Sequence, residues 1–556
     1  MKPHRVSRHN CCPKSVKAAI AVASLMFGMC VEATCHAAES ATQGFAELEK
    51  AGAVIGVVRV QTRNIFDESD PSENSSPYRL VNRLHAVTRE EVIGRMLLFR
   101  QGEKLSQQKI DETERVLRTL RIINDVEIRP GNYDGKTVDI EVITRDTWSL
   151  DFTGSFSRSG GDNKSKFGLR ERNLFGTGIG IGFGRTSDAD RNGTEFDVSY
   201  NQAFDGWTQL AYSGGHFNDG RRNAFVIDRP FYSLDTHYAA RGAWIDDDRI
   251  DSIYNAGVLS SEFRHHQKAV DASAGWSPGL IDGWTQRFSA GLYLRDDAYR
   301  IEPGRTLLIP LPVDHDVRAP FLRYEVVEDQ YIKVKNYNRI QKTEFLPLGF
   351  NAYLFLARSL TGLDSTHADW LYAAGVSDGT SLGSGQKLLG RASVERRIGS
   401  TATPLTQTSI GAQYYAPKGT DKLFYAAFSA DRVSGGGVAD QLLLDGTQVL
   451  RGYPSRYQTG VNRALFTIEQ RVYTDWYPLR LVRIGAAAFM DAGRAWGGQN
   501  QNTINGGWLS DVGIGLRVAV DRAAFDNVLH LDLAVPLNRA AGIKPVQFLV
   551  KTEFAF

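Results

Sequence analysis

Past residue 35 the chain contains no cysteine. Its four cysteines, Cys11, Cys12, Cys30 and Cys35, all fall near the start of the 556 residues. The remaining chain has no disulfide framework, no thiolate nucleophile and no zinc–thiolate site. Long apolar runs are missing as well. After the first forty residues no window approaches the roughly 18 uninterrupted apolar residues that a membrane helix requires. If this chain spans a membrane, it does not do so with helices. Charge of one sign is also lacking: 65 Lys and Arg stand against 63 Asp and Glu. Without a global field there is no expectation of nucleic acid as a partner.

The opening residues have a different character. Lys2, Arg5, Arg8, Lys14 and Lys17 precede an apolar stretch at 18–29, and Cys35, His36, Ala37 and Ala38 come after it with small residues. This is the pattern of a secretory signal peptide over residues 1–38, cleaved after Ala37 or Ala38. The apolar stretch, at about 12 residues, is too short to span a bilayer. Losing five basic residues and Glu32 with the leader turns the formal charge of +2 into about −2.

Residues 39–50 read as a short linker, and 51–146 as a small α+β domain. Residues 54–65 have strand character. "TREEVIGRML" comes next, with Thr88 and Glu91 at capping-box spacing. In "GEKLSQQKIDETERVLRTL", Ile110, Val116, Leu117 and Leu120 share a helical face behind Ser106 as N-cap. "INDVEIRP" and "KTVDIEVIT" then make two strands around Gly131, Asn132, Asp134 and Gly135. The expected order is strand, helix, helix, strand, strand.

From residue 147 to the end helical periodicity is essentially absent. Roughly twenty alternating segments of about ten residues are separated by Gly, Asn, Asp and Pro clusters. In "DVGIGLRVAV" the residues Val512, Ile514, Leu516, Val518 and Val520 share one face, opposite Gly513, Gly515 and Arg517. In "VLHLDLAV" Leu529, Leu531, Leu533 and Val535 oppose His530 and Asp532. One strongly apolar face per strand, with small or charged residues on the other, fits a soluble sandwich poorly over some 400 residues. It fits a closed transmembrane antiparallel β-barrel, whose apolar side chains face lipid and whose lumen is wet. Closure satisfies every backbone group.

Catalytic readings find little support. No serine elbow and no H-E-x-x-H helix is read. The adjacent His265 and His266 read as loop-end residues, and Asp246, Asp247, Asp248 and Asp251 as an acidic surface loop. "GTGIGIGFG", 176–184, has no helix after it and so is not a phosphate loop. The expectation is no catalytic residue, no metal, no cofactor and no enzyme activity.

"VLRGYPSRYQTG", 449–460, interrupts the alternation with turn chemistry that carries a charge and aromatic rings. It sits in a long connection, 433–460. In the next segment Ala464, Phe466, Ile468 and Val472 form the apolar face, which turns Arg463, Thr467, Glu469 and Arg471 into the lumen. In "RLVRIGAAAFMDAGRAW" the same parity turns Arg483, Phe489, Asp491 and Gly493 inward. A loop folding inward offers Arg451 to Glu469 or Asp491. A loop folding outward leaves Arg451 in water. Parity alone does not choose between them.

These residues resemble the BamA/TamA superfamily of outer-membrane proteins, of the bacterial surface antigen type, in which periplasmic POTRA modules precede a 16-stranded barrel. "VLRGYP" is similar to that family's Arg-Gly-aromatic loop motif, here Arg451, Gly452 and Tyr453. Phe489, Asp491 and Gly493 match its Phe-x-Asp-x-Gly motif. "RNLFGTG", 172–178, and "RPFYSLDT", 229–236, look like early-barrel motifs. Phe554 and Phe556 resemble the C-terminal strand signal, and 54–144 matches the POTRA order.

The resemblance implies an inward loop with Arg451 at Phe489, Asp491 and Gly493, and location in the outer membrane of a Gram-negative bacterium with the N-terminal domain in the periplasm. It implies assembly, insertion or translocation of proteins without nucleotide hydrolysis. The partners it implies are outer-membrane lipid, an unfolded or extended client met by the POTRA-like domain and by a seam between first and last strands, and accessory lipoproteins. A passive pore or structural barrel of the same fold is the alternative. Two departures stand out. Arg121, Ile122 and Ile123 replace the usual Gly-aromatic pair. The alternating segments also outnumber sixteen, the surplus being read as strand extensions or ordered external loops.

Overall fold

The computed structural model describes residues 43–159, 162–187, 191–255, 258–363, 365–399, 404–435, 442–444, 450–454, 457–498, 507–523, 528–539 and 543–553. The expected leader at 1–38, together with Phe554 and Phe556, lies outside the described residues.

Alternation with period two has produced a closed antiparallel barrel. Among the described residues the closed order has twenty-one members, one of them the two-residue Leu280–Ile281, which leaves twenty wall strands. The first, Leu150–Ser159, is a neighbour of the last, Gln547–Glu553. Sixteen strands were expected, and this is a correction. The surplus segments are neither extensions nor external loops. Each alternating run carries its own apolar face and pairs with a neighbour on either edge, so the closed wall takes in all of them. A wider barrel also has a wider interior, and two inserts occupy it here.

The wall obeys the parity of the sequence. Val512, Ile514, Leu516, Leu533, Val535 and Phe548 lie exposed on the outer face, while Arg517, His530 and Asp532 are buried inside. His265 and His266 are likewise in the wall, within Val258–Trp276, instead of at a loop end. His265 faces inward between Asp251 Oδ2 at 2.7 Å and Asp297 Oδ1 at 2.8 Å. His266 bonds to Asp246 on the other face. The acidic run is no surface loop either. It belongs to Tyr238–Asn255, where Asp247 pairs with Arg191 and Arg249. The charges that suggested solvent are matched across the sheet.

Residues 43–146 form a small unit with a three-stranded mixed sheet. Thr137–Asp146 lies in the centre, parallel to Val54–Arg63 and antiparallel to Ile123–Tyr133. Its core includes Ile55, Ile93, Ile110, Leu117, Val138 and Ile140. Ser106 caps the helix Gln107–Leu117 through the Lys109 amide, as the sequence suggests.

Three details of this unit differ from expectation. The expected linker contains the helix Gln43–Lys50, whose Phe45 is buried in the core. An additional helix, Ser76–Leu84, intervenes before the short Glu90–Gly94 helix. Thr88 forms no capping box: Arg89 is the N-cap, and Thr88 Oγ1 instead donates to Asp146 Oδ2 at 2.9 Å. A buried carboxylate needs its hydrogen bonds more than an exposed helix end does.

The unit sits across one end of the barrel. Its Arg89 amide donates to the Gly176 carbonyl at 3.0 Å, and Glu112 Oε1 accepts from the Leu234 amide at 2.9 Å. The two early-barrel motifs at 172–178 and 229–236 are therefore the turns on which it docks.

Candidate functional site

Inside the barrel Leu450, Arg451, Gly452 and Tyr453 approach the inner wall. The wall strand Lys422–Gly435 runs two residues past the expected start of the connection at 433, and Gln458–Gly460 pairs with Leu442–Leu444. Val449, Ser455 and Arg456 of the quoted stretch lie outside the described residues.

Arg451 faces three wall strands. Its Nε donates to Asp491 Oδ2 at 2.7 Å and its Nη2 to Asp491 Oδ1 at 2.9 Å, the two-pronged geometry that only a guanidinium supplies. Nη1 donates to Glu469 Oε1 at 2.7 Å and more weakly to Asp532 Oδ2 at 3.3 Å. The guanidinium carbon lies 3.4 Å from the Phe489 ring centroid, a cation–π contact. The structure thus brings Arg451 to both carboxylates between which parity left the choice open. Asp491 takes the bidentate share and also accepts from the hydroxyl of Thr467, which stands directly across from it.

The neighbours of Arg451 explain the motif's small and aromatic members. The Gly452 amide donates to Asp511 Oδ2 at 2.9 Å, and a Cβ at Gly452 would stand 2.6 Å from Asp511 Cβ. Tyr453 is buried with Leu444, Leu450, Leu465 and Leu509, and its hydroxyl donates to the Ser510 carbonyl at 2.9 Å. Gly493 leaves room for the loop, because a Cβ there would lie 3.0 Å from Leu450 Cδ1. Phe489 lies over Gly513 on the next strand, where a Cβ would meet its ring.

Two further arginines complete the cluster. Arg471 Nε donates to Glu469 Oε2 at 2.7 Å, and Arg517 Nη1 to Asp532 Oδ1 at 2.5 Å. Arg451, Arg471 and Arg517 thus interleave with Glu469, Asp491 and Asp532. Each buried ion has a counter-ion, without which desolvation would expel it.

Sequence reading missed a second insert. At the end that carries the small unit, the connection 329–350 forms a hairpin, with Tyr331–Lys335 paired to Thr343–Pro347. Its tip folds against the inner wall: Tyr337, Ile340, Leu346 and Leu348 pack with Tyr415, Leu423, Tyr473 and Val528. Its outer part meets the small unit, where Lys333 Nζ lies 2.7 Å from Glu114 Oε2 and Arg115 lies over Tyr331 at 3.7 Å. "YIKVK" and then "TEFLP" have strand alternation, but nothing in them says which side of the wall they join. Beside the insert a cavity of about 760 Å³ opens between small unit and wall, lined by Arg115, Arg121, Arg170, Gln202, Trp207 and Tyr232.

Among the described residues these contacts are ion pairs, hydrogen bonds and apolar packing. The spacing G-x-S-x-G does occur, at Gly375–Gly379 and again at Gly379–Gly383. Both lie inside the strand Trp370–Gly383, without the strand-to-helix turn that exposes a nucleophile. Among the described residues no group of three His, Cys, Asp or Glu is placed to hold a metal ion.

No protein-family model matches the chain, and no curated protein does. Among solved structures, it is similar to BamA from Haemophilus ducreyi lacking POTRA domains 1–3, at 13% identity and TM-score 0.38, over 89% of this chain and 84% of that one. CdiB from Escherichia coli matches at 12% identity and TM-score 0.46, over 89% and 76%. CdiB from Acinetobacter baumannii matches at 12% and 0.44, over 90% and 74%.

Proposed function

We propose that this barrel spans the outer membrane of a Gram-negative bacterium, with the small unit in the periplasm, and inserts or translocates protein clients without nucleotide hydrolysis or covalent catalysis. The observation that carries the reading is the joint between the edge strand and the seam. The Thr147 amide donates to the Ile122 carbonyl at 3.0 Å, directly before the edge strand Ile123–Tyr133. The Trp148 amide donates to the Arg522 carbonyl at 2.7 Å, in the turn between the wall strands Leu509–Val520 and Val528–Pro536, which ties the start of the first wall strand to the turn before the penultimate one. An extended client that adds itself to Ile123–Tyr133 by strand pairing is thereby delivered to the base of the first wall strand.

The seam is where the wall has least holding it. It joins strands from the two ends of the wall, Leu150–Ser159 and Gln547–Glu553, without the turn that ties neighbouring strands elsewhere in the wall. Arg451 holds strands near this seam together from inside. The alternative, a passive pore, is poorly served by a lumen with two inserts.

Depletion in a host that tolerates it, with quantitative proteomics of outer membrane and culture medium, tests this reading. At least one client should fall in abundance. An unchanged proteome, together with steady large conductance of the purified protein in planar bilayers, would establish the pore instead.

A further inference from the structure

Residues 64–89 leave the small unit between its first strand and the Glu90–Gly94 helix, and they carry the helix Ser76–Leu84. One side of this helix faces protein. The Tyr78 ring lies 4.5 Å from that of Phe66, Asn82 bonds both backbone groups of Phe66, and His85 Nε2, just past the helix, lies 2.9 Å from Asp146 Oδ2. A second stripe, Leu80 and Leu84, is bare: the two are 54% and 68% exposed. Arg79 and Arg83 stand exposed beside it. An apolar stripe flanked by cations on one short helix is the pattern of an element lying in a bilayer interface.

Its position supports that use. Ser72 Oγ accepts from Arg480 Nη2 at 3.0 Å, in the turn between the wall strands Asn462–Tyr473 and Val482–Trp496, and Glu73 Oε2 from Arg522 Nη1 at 3.0 Å, in the turn between Leu509–Val520 and Val528–Pro536. At the other end Arg89 bonds to Gly176, in the turn after the second wall strand. The segment therefore runs beneath the seam from one side to the other. The same rim carries bare apolar side chains. Phe175, Phe204 and Leu479 are each more than 70% exposed and sit at φ of 52°, 53° and 55°, a left-handed backbone that bulky residues seldom adopt. Trp476 is exposed beside Leu479. Such residues continue the lipid-facing wall into the headgroup zone, where barrels carry their apolar and aromatic girdles.

We propose that the helix Ser76–Leu84 binds the phospholipid surface of the periplasmic leaflet beneath the seam, with Leu80 and Leu84 in the acyl boundary and Arg79 and Arg83 on lipid phosphates. This rests on the membrane reading above. It gives the small unit a second hold, on the bilayer itself, at the place where the wall would open.

Nitroxide labels test it in the full barrel with small unit, freed of the leader cysteines, in vesicles of phosphatidylethanolamine and phosphatidylglycerol. Single variants Leu80→Cys, Leu84→Cys, Leu533→Cys and Lys136→Cys report the helix, the lipid-facing wall and the hairpin tip of the small unit. The ratio of oxygen to nickel-chelate accessibility should be several-fold higher at 80 and 84 than at 136. Values at 80 and 84 equal to that at 136, with 533 in lipid, overturn the inference while leaving the membrane reading intact. An aqueous value at 533 overturns the membrane reading itself. Protection at 80 and 84 that arises only on adding periplasmic extract assigns the stripe to a protein partner and overturns the lipid assignment.

Discussion

Arg471 donates through Nη1 to the carbonyl oxygen of Tyr337, 134 positions away, at 2.9 Å. The same guanidinium holds Glu469, which in turn holds Arg451. A chain of charge-assisted bonds therefore connects the loop entering from the far end with the hairpin entering from the end that carries the small unit. The hairpin continues it to Glu114 through Lys333.

Arg451→Ala leaves Glu469, Asp491 and Asp532 without a shared cation, and removing one partner of a buried pair costs about 3–5 kcal/mol. The variant barrel should unfold at lower denaturant than the parent, monitored by circular dichroism or by heat-dependent gel mobility. Arg451→Lys should fall between, because an ammonium makes no bidentate contact with Asp491. Arg456→Ala is the loop control, with a milder effect. Equal and negligible effects at 451 and 456 would remove the latch from the account.

Replacing residues 331–347 by a short Gly-Ser linker deletes the second insert while leaving the wall strands untouched. The expected result is a larger single-channel conductance in planar bilayers, and sparser crosslinking between small unit and barrel. If the current is unchanged, the hairpin does not obstruct the lumen.

Gly176 combines a φ of 73° with a crowded site, since a Cβ would lie 2.2 Å from the Val87 carbonyl oxygen. Gly176→Ala should loosen the small unit from the barrel through left-handed strain of roughly 1–2 kcal/mol and the added clash. Faster amide exchange at 87–89, with the wall unaffected, is the readout. Retained protection would mean that the turn relaxes without releasing its partner.

Burial pushes the Glu112 carboxyl above its ordinary 4.5, opposed by the Leu234 amide, Arg115 and Gln108, and reinforced by Asp329. A carboxyl with a raised folded value contributes stability that is fully present below the ordinary value and is lost as pH rises through the raised one. Burying Glu112 should therefore cost less near pH 4 than at neutral pH, measured by resistance of the small unit to denaturant. Glu112→Gln should flatten that dependence. A variant with the parent's pH profile would assign the effect to another group.

The alternation that makes the wall was legible residue by residue. Whether Val512 or Gly513 faces outward depends on a period of two and a local contrast of polarity, and both are written in consecutive residues. The same rule put Glu469 and Asp491 inside and left Arg451 the means to reach them. It also supplied about twenty segments, so the strand number was in the sequence, although resemblance to a sixteen-stranded family argued for fewer.

Contacts between distant segments were not legible. That Arg451 takes Asp491 in two bonds and Glu469 in one depends on which strands stand side by side. The hairpin 329–350 joins the lumen because a twenty-strand barrel has room for it, and no local pattern in "YIKVK" records the width of the barrel. Thr88 left its expected cap for Asp146 because a carboxylate buried by the whole assembly needed a donor. By itself the sequence determined which side of each strand faces outward, since that is a property of neighbours along the chain. Only the tertiary structure decided what fills the lumen and what lies beneath the seam, because those depend on closure, which no single segment contains.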